Sequence, residues 1–294
     1  MSQSQSETWT IGRLLTWTAD YLKQHGAASP RLDAEVLLAM AAGCQRIDLY
    51  TRFDEPAPDA LRTSFRELVR RRAEGMPVAY LVGRREFYSL SFRVTPEVLI
   101  PRPETELLVV ALLDRARPRA AAGEVSVADV GTGSGIIAIC AAKYLPAARV
   151  TAIDVSPQAL AVARANAEDL KVAERIELVE GDLLGDLPAE KRFDFIVSNP
   201  PYVSQAEYEA LAPDVKQFEP RGALVAGPSG TEVIERLIPQ ARQRLAPGGM
   251  LLIEISPMLE QPVRALFEVG GGWRLEPTIK DLAGHARVIV AQAA

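Results

Sequence analysis

From Val125 to the C-terminus, short apolar segments alternate with amphipathic stretches, and this alternation limits the possible folds more than any other feature of the sequence. Alternating strands and helices form a mostly parallel, doubly wound α/β sheet with helices on both faces. Such a sheet binds its ligand beyond the carboxyl ends of its strands, so the residues after each strand are functional candidates. We predict strands at Val125–Val130, Val150–Ile153, Ile176–Val179, Phe193–Val197, Met250–Ile255, Arg274–Thr278 and Arg287–Val290, and helices at Ile136–Tyr144, Pro157–Leu170, Thr231–Leu245 and Met258–Val269.

The first 80 residues have helical periodicity and no strand-like alternation, which predicts a small helical bundle. Its predicted helices are Thr10–Gln24, Pro30–Gly43, Ile47–Arg52 and Pro58–Glu74. Next, Phe87–Val94 alternates apolar and polar residues with period two, as a half-buried strand or hairpin does. A proline-rich segment, a helix at Leu107–Leu113 and a polar surface connection at 114–124 then precede the first sheet strand.

Composition excludes several classes of protein. Hydrophobic residues make up 48% and charged residues 24%, as in globular proteins, and no apolar run approaches the roughly 20 residues of a membrane span. The N-terminal MSQSQSETWT lacks the segments of a signal peptide and is expected to be a short disordered tail. The formal charge of −5 falls entirely after the charge-balanced first 83 residues, which disfavours non-specific nucleic-acid binding.

The few cysteines and histidines argue against a metal centre. Cys44 and Cys140 match no metal or redox spacing, which favours a reducing compartment. Neither His25 nor His285 has a nearby His or Cys, which argues against a zinc site and a Cys–His pair.

A glycine-rich loop, Gly131-Thr132-Gly133-Ser134-Gly135, follows the first sheet strand and opens a helix. Glycines there allow a tight turn and bring backbone N–H groups close to a ligand. Ile136 stands where G-x-G-x-x-G requires glycine, and no Gly-Lys-Ser/Thr follows, so neither a dinucleotide fingerprint nor a P-loop is present. A generic tight β–α turn is the alternative.

Acidic residues follow the next two strands. Asp154 is placed to accept hydrogen bonds from ribose hydroxyls, although such residues also serve as turn or N-cap residues. Asp182 could accept from an adenine amino group with Leu183 packing on the ring, or could be a solvated loop residue.

The fourth strand leads into Asn199-Pro200-Pro201-Tyr202. Successive prolines fix φ and remove two N–H donors, so the carbonyls of Asn199 and Pro200 can face a ligand. With the Asn199 side-chain oxygen and the Tyr202 ring, they would form a receptor for a planar NH₂ group. The alternative is a plain Pro-Pro turn.

Together these motifs resemble class I S-adenosylmethionine-dependent methyltransferases that act on a planar amide or amine. Further segments are similar to the peptide chain release factor glutamine methyltransferases, the PrmC/HemK family, over essentially the whole chain. These segments are SPRLDAE (29–35), PVAY (77–80), GRREFYSL (83–90), LIPRPETE (99–106) and FEPRGAL (218–224).

The resemblance implies an architecture. It implies a seven-stranded, doubly wound, Rossmann-like methyltransferase sheet with a small all-helical N-terminal domain joined by a β-hairpin. The expected divisions are a release-factor-recognition bundle at 1–82, a hairpin linker at 83–98 and a methyltransferase domain at 99–294.

The resemblance also implies an activity: methyl transfer from S-adenosylmethionine, yielding S-adenosylhomocysteine, to the glutamine amide nitrogen (N5) of the Gly-Gly-Gln motif in class I release factors. Asn199 and Pro200 would be catalytic, and Asn199–Tyr202 would bind the substrate. The cofactor residues would be Gly131, Thr132, Gly133, Ser134, Gly135, Asp154, Asp182, Leu183 and Asn199. Leu183 departs from the aromatic residue of some relatives, and Glu254-Ile-Ser-Pro257 lacks an expected glycine and is assigned no role. We expect a cytoplasmic monomer whose partner is the release factor, with no membrane or nucleic-acid contact.

Several residues keep two interpretations. Arg102, Glu104, Thr105 and Glu106 either line the active site or cap the next helix. Phe87 is either a core residue or a lid over the cofactor. The Arg70–Arg72 run is either a solvated face or a contact for an acidic partner.

Alternative functions share these motifs. A ribosomal-protein glutamine methyltransferase would share the catalytic half, and a DNA adenine-N6 methyltransferase uses a similar receptor but would usually need a basic groove. A non-enzymatic adaptor is disfavoured because no motif position is broken, and the glycine spacing excludes a dehydrogenase.

Overall fold

The computed structural model describes residues 8–294, so most of the predicted N-terminal tail lies outside the described residues. Two compact units divide the chain, Met1–Gly83 and Arg84–Ala294. The division falls at Gly83, whose φ of +69° ends the last helix of the first unit in a left-handed conformation that favours glycine.

The first unit is helical, as its periodicity predicts. Its helices are α1 (Ile11–Gln24), α2 (Pro30–Ala42), α3 (Arg46–Thr51), α4 (Asp59–Ala73) and α5 (Val78–Val82). The short helix α5 was not predicted, because five residues are too few to show a period. Buried apolar residues of α1, α2 and α4, including Leu15, Leu38 and Phe65, form the core of this unit.

The Arg70–Arg72 run on α4 divides between an exposed side chain, Arg70, and a largely buried one, Arg72. Arg72 donates to Asp33 of α2 at 2.8 Å, and both side chains are largely buried. Arg70 pairs with Glu67 of its own helix and with Glu74, the residue that follows the helix. The SPRLDAE segment therefore has an internal role, since its Asp33 ties α2 to α4.

The second unit alternates strands and helices. Its elements are β1 (Arg84–Phe87), β2 (Leu90–Arg93), α6 (Thr105–Ala122), β3 (Val125–Val130), α7 (Ile136–Tyr144), β4 (Ala148–Asp154), α8 (Pro157–Asp169), β5 (Ile176–Glu180), β6 (Phe193–Ser198), β7 (Val203–Ser204), α9 (Gln205–Ala210), α10 (Pro213–Phe218), β8 (Val225–Gly227), α11 (Glu232–Arg244), β9 (Leu245–Glu254), α12 (Glu260–Gly270), β10 (Trp273–Leu275), β11 (Ile279–Lys280) and β12 (Ala286–Ala293).

The central sheet confirms the predicted fold class. In the described residues its strand order is β10-β12-β9-β6-β3-β4-β5, and the short β11 adds an eighth strand by pairing with β12. Strands β9, β6, β3, β4 and β5 run parallel, whereas β12 is antiparallel to β9. The chain order reverses between β3 and β6, so their carboxyl ends border the crevice where doubly wound sheets bind ligands.

Helix α6 is longer than predicted. The segment expected as a polar surface connection (114–124) instead continues the helix to Ala122, so that prediction was wrong. The added turns pack against the second unit through the buried Ala116 and through two ion pairs, Arg115 to Glu276 and Arg119 to Asp194. The helix contains Pro118 in this part. In the residues from 8 onward, no helix combines the length and the apolar character needed to cross a bilayer.

The segment at 84–93 is a hairpin that belongs to the second unit. Its turn residues Tyr88 and Ser89 have φ of +49° and +58°, as a two-residue type I′ turn requires. Phe87 and Phe92 are buried in the core beside the sheet, so the core interpretation of Phe87 holds. The Asn166 side chain exchanges hydrogen bonds with the Arg93 backbone at 2.7 and 3.0 Å.

Candidate active site

The glycine-rich loop after β3 takes a conformation that its glycines permit. Gly131, Gly133 and Gly135 have φ of +73°, +55° and +83°. Cβ atoms built at Gly131 and Gly133 would meet nothing within 4 Å, so their faces are open. A Cβ at Gly135 would lie 3.1 Å from the Ala163 side chain. Two positions therefore leave space for a ligand, and the third allows close packing against α8.

Asp129 lies beneath this loop at the end of β3 and is fully buried. Its Oδ2 accepts from the Thr132 hydroxyl at 2.6 Å and from the Ala138 amide at 2.9 Å. Its Oδ1 has no hydrogen-bond partner among the described residues. Burial raises the pKa of Asp129 to about 6. Asp129 was not predicted as a site residue, although a carboxylate before a glycine-rich loop is the signal that could have identified it.

Asp154, at the end of β4, joins the loop to the next helix. Its two carboxylate oxygens accept from the Gly133 amide at 2.8 Å and from the Ser156 amide at 2.9 Å. The carboxylate is half-buried and each oxygen keeps a lone pair for a further donor. Asp154 thus serves as a turn residue, while its ribose contact stays a prediction.

Two other predicted cofactor residues, Thr132 and Ser134, are buried within the loop. The Ser134 carbonyl accepts from the Asn166 side chain at 2.8 Å. Because Asn166 also binds Arg93, it links the loop to the hairpin, a connection that the sequence did not indicate.

Asp182 and Leu183 follow β5, as predicted, but interact differently. The exposed Asp182 carboxylate forms an ion pair with Arg236 of α11. Leu183 takes a φ of +56° and packs against the core. The adenine-side roles of both residues stay predictions.

Asn199 emerges from β6 beside the glycine-rich loop, because β6 pairs with β3. The Ser198 hydroxyl donates to the Val130 carbonyl at 2.7 Å and joins the ends of these two strands. The Asn199 Nδ2 group donates to the Thr105 Oγ1 atom at 3.1 Å. Pro200 is buried, whereas Pro201 and Tyr202 are half-buried. The predicted receptor therefore lies at the sheet's switch point.

Glu254 is, after Asp129, a second buried carboxylate of this region to which the sequence assigned no role. It ends β9, the strand beside β6, and is 1% exposed. The Tyr202 hydroxyl lies 3.5 Å from its Oε1 atom, and its Oε2 atom has no partner among residues 8–294. Burial raises the pKa of Glu254 to about 7. Its position near the end of a predicted strand was the available signal, because the carboxyl ends of such strands border the ligand crevice.

The PRPETE segment divides between structural and site roles. Arg102 donates to the buried Glu219 at 2.5 Å, which joins this segment to FEPRGAL. Glu106 accepts from the Tyr88 amide at 3.0 Å and so supports the hairpin turn. Glu104 lies 3.8 Å from Arg287. Of the four residues, Thr105 is the one whose side chain is hydrogen-bonded to Asn199.

Sequence comparisons match both units. Residues 13–83 match the family described as the PrmC N-terminal domain, and residues 104–217 match the methyltransferase small domain. The chain is 52% identical to the release factor glutamine methyltransferase of Rhodopirellula baltica, with 100% of both chains covered. Its identity to proteins of that name is 44% in Geobacter sulfurreducens (90% of each chain) and 44% in Moorella thermoacetica (96% of this chain, 98% of the relative).

Solved structures agree with the fold. The catalytic domain of hMettl16 has a TM-score of 0.55 at 18% identity, covering 78% of this chain and 82% of its own. A methyltransferase from Pyrococcus furiosus has a TM-score of 0.50 at 22% identity, covering 70% and 90%. At these identities the likeness extends to the fold of the α/β unit.

Proposed function

The chain belongs to the release factor glutamine methyltransferases, and on this basis we propose that it methylates the glutamine amide nitrogen of the Gly-Gly-Gln motif in class I release factors. The observation that carries the proposal is the position of Asn199. Its side chain lies at the switch point of the sheet, beside the open face of the glycine-rich loop, with its NH₂ group bound to Thr105. An amide oriented in this way can offer its oxygen to the NH₂ group of a glutamine.

S-adenosylmethionine, the proposed methyl donor, fits the loop after β3. The faces of Gly131 and Gly133 are open, and Asp154 has free lone pairs for hydroxyl donors. The buried Oδ1 of Asp129 lacks a partner among the described residues, so it can accept from a bound ligand or an intervening water. The cofactor supplies an electrophilic methyl group when bound.

The receptor residues orient a weak nucleophile. An amide nitrogen shares its lone pair with the adjacent carbonyl, so positioning is the main contribution the protein can make. Asn199 Oδ1 and the Pro200 carbonyl would accept hydrogen bonds from the two N–H groups of the glutamine. The same acceptors would stabilise positive charge that develops on the nitrogen during methyl transfer.

The remaining parts of the proposal concern the whole chain. The helical unit, which matches the PrmC N-terminal domain, would recognise the release factor. The enzyme would act as a cytoplasmic monomer. The net charge of −5 supports a protein substrate over DNA, because DNA-binding surfaces are basic.

Asn199→Ala tests the receptor. We expect kcat for methylation of a purified release factor to fall at least 100-fold, while the calorimetric Kd for S-adenosylhomocysteine changes less than about fivefold, since losing one transition-state contact costs about 10²–10³ in rate. Asp114→Ala, which removes an exposed ion pair on α6, is the matched control. Turnover by the Asn199 variant within threefold of the original enzyme would exclude the receptor role.

A further inference from the structure

A groove lies between α1 and α4 on the surface of the helical unit, and none of its lining residues belongs to the candidate active site. Its volume is about 460 Å³, a size typical of pockets that take ligands. Trp17 and Tyr21 of α1 and Phe65 of α4 supply aromatic walls, and three arginines of α4 complete the lining. Such a groove can hold a large apolar side chain of a partner together with neighbouring charged groups.

The α1 side of the groove carries aromatic rings that contact one another. The Trp17 ring stacks on Tyr21 with centroids 5.1 Å apart, and Trp9 meets Trp17 edge-on at 6.2 Å. Trp17 nevertheless keeps 50% of its surface exposed, whereas tryptophan is highly buried on average. The rings thus hold one another in place and leave an exposed face. Clustered aromatic surface of this kind is typical of protein-binding sites.

The α4 side of the groove carries a stripe of positive charge. Arg62, Arg66 and Arg70 are spaced four residues apart, so they lie along one face of the helix. The ion-pair partners of Arg62 and Arg70 are exposed acids outside the groove lining, and no ion pair involves Arg66 among the described residues. The Arg62 Nε atom is also buried without a hydrogen-bond partner in that part of the chain. Donors therefore remain for an acidic ligand.

We propose that this groove is a docking site for the release factor, and that it takes an acidic segment with a large apolar side chain, apart from the Gly-Gly-Gln motif. The inference rests on the proposed function and deepens it. The apolar side chain packs between Trp17 and Phe65, and the carboxylates pair with Arg66. Charge decides the partner, because three arginines and no acidic residue of the described chain line the groove. Tryptophan, tyrosine and arginine also carry much of the binding energy in protein interfaces.

Two contacts with one partner act together. Once the acidic segment occupies the groove, the glutamine loop of the same release factor meets the active site at a raised effective concentration. The groove touches no reacting group, so it stabilises the bound substrate and the transition state equally. Its loss should therefore raise KM for the release factor and leave kcat unchanged. A receptor variant such as Asn199→Ala should instead lower kcat.

Steady-state kinetics of the full-length enzyme with a purified class I release factor test this division. Trp17→Ala and Arg66→Glu should each raise KM at least about tenfold, with kcat within about twofold of the original. Ile47→Ala and Lys23→Glu are the matched controls, since they truncate an exposed apolar side chain and reverse an exposed charge outside the groove. A KM within about threefold of the original in either groove variant, or a tenfold higher KM in the controls, would overturn the inference.

Photocrosslinking identifies what occupies the groove. Benzoylphenylalanine in place of Trp17 should crosslink to a release-factor segment that contains acidic residues and lies outside the Gly-Gly-Gln motif, and mass spectrometry of the digest locates that segment. The same group in place of Ile47, which lies outside the groove, should not crosslink to it. Crosslinks only to a second copy of this chain, only to the Gly-Gly-Gln motif or to a segment without acidic residues would overturn the inference, as would their absence. An original enzyme that methylates no release factor would instead contradict the proposed function.

Discussion

Asp154 offers the sharpest test of how the fold holds its cofactor. Its carboxylate accepts from the Gly133 and Ser156 amides, and Asp154→Ala removes both bonds. Hydrogen bonds to a charged group contribute about 1.5–3 kcal/mol each. Because the carboxylate is half-buried, water can hydrogen-bond to the two amides in its absence and restores part of this free energy. We therefore expect the folded loop to lose about 1.5–3 kcal/mol in all. The loop must then be ordered again on binding, which weakens affinity for S-adenosylhomocysteine about 10- to 100-fold.

Isothermal titration calorimetry measures this loss directly. Asp114→Ala is the control, since it removes an aspartate that pairs with Arg117 on the surface of α6, and such pairs contribute about 0–1 kcal/mol. Circular dichroism should confirm that both variants are folded. If the folded Asp154→Ala variant binds S-adenosylhomocysteine with a Kd within threefold of the original, then Asp154 neither orders the loop for binding nor contacts the ribose.

Further predictions concern stability and pH. Asp33→Ala removes the carboxylate partner of the largely buried Arg72 and should lower the free energy of unfolding by about 3 kcal/mol. Glu67→Ala removes an exposed partner of Arg70 and should change it by less than about 1 kcal/mol. Urea unfolding measures both. Gly135→Ala should lower the free energy of unfolding by about 1–3 kcal/mol more than Gly131→Ala does. Both substitutions place alanine at a positive φ, but a Cβ at Gly135 also lies 3.1 Å from the Ala163 side chain. Equal losses in urea unfolding would contradict this. Burial raises the pKa of Asp129 to about 6, so the folded protein holds the protonated carboxyl more tightly than the unfolded chain does. The free energy of unfolding is therefore highest below about pH 4, and it falls as the pH rises through 6. Between pH 4 and 7 the free energy of unfolding of the original protein should fall by about 3 kcal/mol relative to that of Asp129→Asn, at about 1.4 kcal/mol per pKa unit. Urea unfolding of both proteins at the two pH values measures this difference.

The sequence predicted the features that depend on local pattern. The α/β alternation, the glycine-rich loop and the position of Asn199 after the strand beside that loop all follow from periodicity and from the rules of doubly wound sheets. Helix α6 shows the limit of such reasoning. Arginines and Pro118 in 114–122 indicate a surface connection, but Arg115 and Arg119 are held by partners, Glu276 and Asp194, that lie far along the chain.

The supporting side chains of the site could not be predicted for a similar reason. Asn166 joins the hairpin to the glycine-rich loop, and Thr105 binds Asn199, through contacts between residues 32 to 94 positions apart. A sequence pattern identifies strand ends, but it does not show which polar side chains meet between them. Glu254 illustrates this, because nothing in Glu254-Ile-Ser-Pro257 indicates that its carboxylate meets the Tyr202 hydroxyl.

The central claim is that this enzyme transfers a methyl group to a release factor glutamine. The direct measurement incubates the full-length protein and methyl-labelled S-adenosylmethionine separately with a class I release factor, a ribosomal protein and duplex DNA, and locates the label by mass spectrometry. We predict one added methyl group on the glutamine of the Gly-Gly-Gln motif, formed at an initial rate at least about 100-fold lower by the Asn199→Ala variant. Label confined to the ribosomal protein or to DNA, or absent from all three, would contradict the claim.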